Sequence, residues 1–267
     1  MNIYDFPPIA AALDTAHTAV TTLADLLTPL AGVHSTALAI VLCALLIRVA
    51  LIPVGVSTAR ADADRRRLAP SIHRIREKYG TNPELLRRKT MELYTAEKVS
   101  PLAGCLPLLV QAPIVSVVYG LFVTPRINGH ANELLGAPLF DVPLGSSLPG
   151  LVTAGTWWPD VAVVGVLLAV IAVVSALSRH VALRWSAQNP APAATPRSPG
   201  SPAMPVIPAG TLAMLSWLPF LTVVFAAIVP LAATLYLTVT TAWTLAERVL
   251  LRRRFDRLAA ARASSQP

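Results

Sequence analysis

The chain alternates long apolar runs with polar segments, which is typical of a protein that crosses a membrane several times. One crossing needs about 20 mostly apolar residues, because the hydrocarbon core is roughly 30 Å thick. The last apolar run is too long for a single crossing and contains Pro230, so it is divided there into two spans. The sequence therefore predicts an all-α membrane protein with five transmembrane helices, at 36–56, 102–124, 161–178, 212–229 and 230–251.

The polar segments differ in character. In residues 1–35 apolar positions recur every three or four residues, which predicts an amphipathic helix on the outer membrane surface. Residues 57–101 carry two amphipathic patterns joined at Gly80 and Pro83, which predicts a cytoplasmic helical hairpin. The other segments are predicted to be an external loop at 125–160, a proline-rich cytoplasmic linker at 179–211 and a basic cytoplasmic tail at 252–267.

Composition and charge give the orientation. The chain is 54% hydrophobic and 13% charged, whereas soluble domains carry about 25% charged residues. Segments 57–101, 179–211 and 247–267 hold 20 of the 22 Lys and Arg. Because basic residues near span ends stay in the cytoplasm, the N-terminus is predicted outside and the C-terminus inside. The net charge of +8 makes anionic lipids and the ribosome candidate partners, without indicating a specific nucleic-acid sequence.

Arg48 lies near the middle of the first span. A charged side chain at that depth costs about 2.5–3.5 kcal/mol on insertion scales. Acidic residues are absent from the sequence of the first four spans, so we hypothesise that Arg48 faces a water-containing cavity open to the cytoplasm. Bonding of its guanidinium to helix carbonyls is the alternative. Candidate companions are Gln111 in the second span and, in the fifth, one face with Thr234, Thr238 and Thr241 or the other with Tyr236, Thr240, Trp243 and Glu247.

Catalytic motifs are absent from the sequence. There is no phosphate-binding GxxxxGK[ST] run, metal-ligand spacing or catalytic triad, and the five histidines are scattered. Neither enzyme activity nor a cofactor is therefore expected. Three function classes remain, which are insertion of other membrane proteins, transport of a small anion bound by Arg48, and a scaffold. A transporter would usually have internal repeats or paired broken helices, and no convincing repeat is evident.

Three sequence blocks resemble the hairpin and second span of YidC-type membrane protein insertases. They read LAPSIHRIREKY at 68–79, MELY at 91–94 and PLAGCLPLLVQAPI at 101–114. The resemblance extends to the arginine of the first span, to Pro219 and to Leu235–Tyr236. It implies five helices around a hydrophilic groove that is closed to the outside but open to the cytoplasm and laterally to lipid, with Arg48 at its centre.

The same resemblance implies an insertase in the bacterial inner membrane that receives nascent membrane proteins. Acidic segments of a client would be drawn toward Arg48 while its apolar helix enters lipid past the third and fifth spans. The expected groove residues are Arg48, Gln111, Thr234, Tyr236, Thr238 and Trp243, and the expected cytoplasmic docking residues are Arg65, Arg66, Arg67, Arg74 and Arg76. The ribosome and the general secretion channel are candidate partners.

Overall fold

The computed structural model describes residues 6–100, 106–127, 129–155, 158–188 and 216–264, most of which are helical. Some predicted features fall partly elsewhere. The first residues of the PLAGCLPLLVQAPI block, 101–105, residues 189–211 of the predicted proline-rich linker and residues 212–215 of the predicted fourth span lie outside the described residues.

Helices form the framework of the described chain. In chain order they are α1 (Pro7–Ala31), α2 (Ser35–Ala50), α3 (Ile52–Tyr79), α4 (Pro83–Ala96), α5 (Leu106–Val123), α6 (Leu148–Thr153), α7 (Asp160–Gln188), α8 (Leu218–Ile228) and α9 (Leu231–Ser264). Single 3-10 turns lie at Gly32–His34 and Glu133–Leu135. Between α5 and α6 are two antiparallel hairpins, β1 (Arg126–Ile127) with β2 (His130–Ala131) and β3 (Pro138–Leu139) with β4 (Val142–Pro143).

The chain divides into two compact units. The first unit comprises Met1–Leu51, Leu109–Arg179 and Trp217–Leu245, and the second comprises Ile52–Leu108, His180–Ser216 and Ala246–Pro267. The first unit thus contains α1, α2, the β-hairpins and α8, whereas the second contains α3 and α4. Helices α5, α7 and α9 each contribute one part to each unit.

An apolar core fills the first unit where α1 packs along α2. The buried residues of α1 are spaced along one face, and those of α2 are mostly small, which lets the two helices approach closely. The loop between α5 and α7 adds larger side chains, including Val142 and Leu144, both 0% exposed. The core residues on these elements are Leu13, Val20, Ala24, Ala37, Ala39, Ile40, Ala44, Ile127, Leu134, Val142, Leu144 and Leu151.

The last apolar run is interrupted at Pro230, since α8 ends at Ile228 and α9 begins at Leu231. The first N–H groups of a helix lack partners within it. Here the loop supplies them, because Leu231 N donates to Ser146 O at 2.7 Å and Ala232 N donates to Leu144 O at 2.9 Å. The start of α9 is therefore fixed by the backbone of the loop before α7.

Helices α3 and α4 of the second unit contact each other and meet at the turn after Tyr79, within the segment where the hairpin is predicted. Asn82 is the N-cap of α4, with its side chain accepting a hydrogen bond from Leu85 N at 3.0 Å, and Pro83 occupies the first helical position. Leu68 is 3% exposed and so anchors α3 within its unit.

The helix bounds depart from the predicted spans at several places. Helix α7 continues past residue 178 to Gln188 and so includes the start of the predicted linker. The first predicted span, 36–56, is divided at Leu51, and α3 continues without a break from Ile52 into the hairpin. Pro53 explains the division, because proline lacks an N–H and is favoured in the first turn of a helix over its interior. The fifth helix, α9, continues to Ser264 and thus includes most of the predicted tail.

Two helical stretches in the described residues are long and apolar enough to cross a membrane, judged by length and composition. They are Pro7–Ala50, which joins α1 and α2, and Asp160–Ala187 in α7. Gln111–Val123 and Leu218–Ile228 are shorter apolar helices. The five-span arrangement therefore stays a prediction.

Candidate functional site

Arg48 lies in the last turn of α2, three residues before the division at Leu51. Its side chain is half-buried, and its Nε atom is buried without a hydrogen-bond partner among the described residues. Buried guanidinium N–H groups normally have an acceptor, because an unsatisfied donor costs about 1–3 kcal/mol or more when charged. The position is therefore suited to a polar group from outside the described residues.

Tyr236 of α9 lies near Arg48 in the first unit. The residue is 7% exposed, and its hydroxyl is buried without a partner among the described residues. Arg48 is close enough for its charge to act on this hydroxyl. The Phe122 ring packs beside the Tyr236 ring at an angle of 47°, with the ring centroids 6.4 Å apart. The structure thus places in one unit the arginine and the aromatic hydroxyl that are expected in the groove, and the groove itself stays a prediction.

The threonines of α9 direct their hydroxyls to helix backbone. Thr234 is 0% exposed and donates to Ala226 O at 2.8 Å, which ties α9 to the end of α8. Thr238 is half-buried and donates to Thr234 O at 2.8 Å, while the buried Thr240 donates to Tyr236 O at 3.0 Å. Their oxygens can still accept, but Thr234 is enclosed at the α8–α9 junction.

Gln111 and Trp243 are the other predicted groove residues. Both are half-buried and belong to the first unit, Gln111 on α5 and Trp243 on α9. Their polar groups are thus placed in the same unit as Arg48, at positions that are neither fully enclosed nor fully exposed.

The loop side of the first unit contains hydrogen-bonded groups that the sequence did not indicate. Asn132 is 6% exposed, and its Nδ2 donates to Leu121 O at 2.6 Å and Thr124 O at 3.0 Å, which satisfies carbonyls at the end of α5. The Leu144 and Ser146 carbonyls accept hydrogen bonds from the start of α9. We call Asn132 and these two carbonyls, together with their partners, the loop end. Backbone acceptors have no side-chain signature, so sequence patterns could not find them.

The five predicted docking arginines fall into two groups. Arg67 pairs with Glu97 at 2.9 Å, and Arg66 pairs with Asp256 at 3.6 Å, so both are engaged within the second unit. The other three are exposed and have no ion pair among the described residues; they are Arg65, Arg74 and Arg76.

Arg252 of α9 is a second-unit residue that sequence reasoning did not single out. Its guanidinium carbon lies 4.1 Å from the centroid of the Trp185 ring on α7, and its Nε lies 3.5 Å from Asp256 Oδ2. Burial and the nearby charge of Arg66 lower the pKa of Arg252 from its ordinary value, while Asp256 and Asp62 oppose that shift. Three helices, α3, α7 and α9, therefore meet around this one side chain.

A small polar cluster joins α1 to the β1–β2 hairpin in the first unit. His130 Nε2 lies 2.9 Å from Asp14 Oδ1, and this hydrogen bond raises the pKa of His130. The ring of His17 lies 5.4 Å from that of His130, and burial, followed by the charge of His130, lowers the pKa of His17. His17 is partly enclosed here. Within the described residues, no group of three or more His, Cys, Asp or Glu side chains is arranged to hold a metal ion.

Comparison with known proteins decides the family. The sequence profile of the 60Kd inner membrane protein family matches residues 27–258, which is most of the chain. The chain belongs to this family. The match covers all five predicted spans and the hairpin, so the resemblance noted in the sequence blocks is confirmed and the chain is a membrane protein.

Curated relatives of this family member carry the name "Membrane protein insertase YidC". The relative from Methylobacillus flagellatus is 36% identical over 103 residues, 39% of this chain and 19% of the relative. The relative from Oceanobacillus iheyensis is 35% identical over 137 residues, 48% of this chain and 53% of the relative. The relative from Fusobacterium nucleatum is 36% identical over 97 residues, 36% of this chain and 47% of the relative. The chain thus spans between a fifth and about half of the length of these relatives.

Proposed function

We propose that the protein is an insertase that receives nascent membrane proteins in a hydrophilic groove around Arg48 and releases their helices sideways into lipid. The observation that carries the proposal is the pair of buried, unpartnered polar atoms, Arg48 Nε and Tyr236 Oη, in the described part of a member of this family. One is a charged donor, and the other can donate or accept.

The pair has the chemistry that a client's polar segment requires. A carboxylate or backbone carbonyl that enters the bilayer loses its water, and a fixed guanidinium replaces part of that hydration. The attraction between Arg48 and a client carboxylate is strong because Arg48 is half-buried on an apolar helix, where water screens charges less. Acidic external segments of a client are therefore the chemistry that the groove favours.

The loop end supports a groove that opens on one side only. Its backbone hydrogen bonds and its buried side chains leave little room for a polar chain beside the start of α9. With the loop end outside, the groove is open toward the cytoplasm, the N-terminus is outside and the C-terminus is inside. This orientation agrees with the distribution of basic residues.

Release into lipid follows from the apolar surface of α7. Its exposed side chains recur at helical spacing and form a stripe that fits lipid contact; they are Val166, Val170, Val173 and Leu177. A client helix of about 20 apolar residues gains free energy by entering hydrocarbon beside such a surface, so partitioning can supply the energy. We place the exit between the third and fifth spans, α7 and α9.

Docking is assigned to the hairpin of the second unit. Arg65, Arg74 and Arg76 are the predicted docking residues whose charges are not used in ion pairs within the described chain. They are suited to anionic partners in the cytoplasm, which here means lipid headgroups and the ribosome that carries the client. The general secretion channel is a further partner within the proposal.

Site-specific photocrosslinking tests the groove. A photoreactive amino acid at position 48 is compared with one at Leu46, which is 62% exposed and points to another side of α2. Membranes carrying ribosome-stalled client chains should give crosslinks to the client from position 48 and far fewer from position 46. Equal labelling from both positions, or none from position 48 with several clients, would overturn the groove. In the second case, anion uptake that depends on Arg48 would identify a transporter instead.

A further inference from the structure

Arg252 joins three helices of the second unit through one side chain. Its guanidinium lies over the Trp185 ring of α7, at 4.1 Å from the guanidinium carbon to the ring centroid. The same group pairs with Asp256 one turn later on α9, and Asp256 also pairs with Arg66 of α3. We call these four residues the Arg252 junction.

The Arg252 junction depends on the shape of arginine. Its side chain is 13% exposed, so it is enclosed although it lies on a highly charged stretch of α9. A planar guanidinium can stack on a ring with its face and bind a carboxylate with its edge, which a lysine ammonium does less well. The neighbouring Arg253 and Arg254 are exposed, so the enclosure is specific to position 252.

The Trp185–Arg252 contact links the two helices that border the proposed exit. Trp185 lies in the last turn of α7, and Arg252 lies on the part of α9 that follows the fifth span. Along their described lengths, the backbones of α7 and α9 make little close contact, so long side chains bridge them. A single cation–π contact is weak compared with a packed helix interface and can open reversibly.

Resting on the proposed function, we propose that Arg252 is a positioning residue and that its contact with Trp185 must open for a client helix to leave between α7 and α9. The contact keeps the cytoplasmic ends of these helices together before a client arrives. Asp256 and Arg66 keep Arg252 directed at the ring. The junction therefore sets how long a client stays in the groove before release.

A reversible crosslink tests this role. Cys43 and Cys105 are replaced by alanine, and cysteines introduced as Trp185→Cys and Arg252→Cys are joined by a cleavable bis-thiosulfonate spacer, because two long side chains separate the helices. Client capture is read by photocrosslinking from position 48, and release is read by the transfer of the client helix to lipid. The crosslinked protein should capture the client but not release it, and cleavage of the spacer should restore release.

The matched control joins α1 to the β1–β2 hairpin instead, with Asp14→Cys and His130→Cys linked by the same spacer, because these residues belong neither to the groove nor to the Arg252 junction. This control should release clients as fast as the uncrosslinked protein. Release that is equal in the Trp185–Arg252 crosslinked protein and in this control would overturn the inference. A failure of capture in the uncrosslinked protein would instead contradict the groove, so the two failures are distinguishable.

Loosening the contact gives the opposite effect. Trp185→Leu should shorten the time that a client stays crosslinkable from position 48 by roughly threefold, the size expected when a partly exposed cation–π contact is lost. Trp185→Phe keeps an aromatic face and should restore much of that time. A purely structural role would be indicated if the leucine and phenylalanine variants changed thermal stability alike and left the residence time unchanged, and that result would also overturn the inference.

Discussion

The loop end of the first unit and the Arg252 junction of the second are held by different interactions. At the loop end, buried backbone and amide groups of Asn132, Leu231 and Ala232 make short hydrogen bonds beside an apolar core. In the second unit, charged side chains pair at partly exposed positions, as Arg67 does with Glu97. Breaking a buried hydrogen bond leaves an unsatisfied group and costs about 1–3 kcal/mol, whereas an exposed ion pair contributes about 0–1 kcal/mol.

The difference suits the two regions to different tasks. Under the proposed function, the loop end is a wall that must stay closed and is best built from interactions that are costly to break, whereas the second unit receives and passes on clients and needs contacts that exchange at low cost. We therefore expect substitutions at the loop end to reduce the stability of the fold, and substitutions in the second unit to change kinetics and salt dependence more than stability.

The largest effect is expected for Asn132→Ala. The change removes the amide that donates to the Leu121 and Thr124 carbonyls at the end of α5, so both carbonyls lose a hydrogen bond where little water can replace it. The free energy of unfolding should fall by about 2–3 kcal/mol. Thermal unfolding in a fixed detergent measures the change. Asn82→Ala is the matched control, because Asn82 caps the exposed end of α4; it should cost about 1 kcal/mol. An equal loss in both variants would contradict the distinction between the regions.

Gly55→Ala tests a crowded contact in the second unit. A Cβ at position 55 would overlap the carboxylate of Glu247, so α3 and α9 approach closely there only because residue 55 has no side chain. Overpacking of this kind costs about 1–3 kcal/mol, and we expect about 1–2 kcal/mol because the glutamate side chain can move. Unfolding of the purified protein checks the value.

The rescue pattern identifies the cause of that loss. Gly55→Ala combined with Glu247→Ala should recover stability relative to Gly55→Ala alone, since the smaller side chain leaves room for the added methyl. Glu247→Gln has the same size as glutamate and should give no recovery. Recovery with glutamine would point to charge rather than space.

Much of this arrangement could be predicted from local sequence signals. Pro230 and Pro83 each mark a helix start at the predicted place, because proline is favoured there and disfavoured further along a helix. Pro53 carried the same signal, yet the continuous apolar run around it suggested one uninterrupted span. Local composition therefore marked the helix starts at these two prolines, but it missed the division at Leu51, where two signals conflicted, and it ended α7 and α9 too early.

The pairings of the arginines could not be predicted, because their partners are distant in the sequence. Arg66 and Asp256 are brought together only by folding, and so are Trp185 and Arg252. A run of arginines on a helix is usually a solvated surface, and the sequence offered no reason to separate Arg66 and Arg67 from Arg65. The three-dimensional contacts divide this run into internally paired charges and charges without an ion pair in the described chain.

A smaller effect is expected for Arg67→Ala. The Arg67–Glu97 pair links α3 to the segment after α4 across the partly exposed side of the hairpin. Its loss should reduce the free energy of unfolding by about 0.2–1 kcal/mol at low salt, and by less at high salt, because counterions screen exposed charges. Arg74→Ala, at an exposed position with no ion pair in the described chain, is the control. It should leave the free energy of unfolding unchanged at both low and high salt. A salt-independent loss of more than about 2 kcal/mol would show that the pair behaves like a buried one.

The smallest effect is expected from protonation of the cluster at α1, where two histidines titrate with opposite consequences. The pKa of His130 is raised by its hydrogen bond to Asp14, so its contribution to stability is present below the ordinary value of 6.5 and is lost as the pH rises through the raised pKa. The pKa of His17 is lowered, so its contribution is present above 6.5 and is lost as the pH falls through the lowered pKa.

Asp14→Asn separates the two titrations. Without the Asp14 carboxylate, His130 loses the acceptor that favours its charged form, while Glu133 remains near both rings. The stability difference between the wild-type protein and Asp14→Asn should therefore be largest below pH 6.5 and should shrink above it, as measured by thermal unfolding across that range. Asp25→Asn, an exposed acidic position on the same helix, should lower stability equally at every pH if it acts at all. A difference that grows with rising pH would reverse the sign and show that the Asp14–His130 bond does not depend on a protonated histidine.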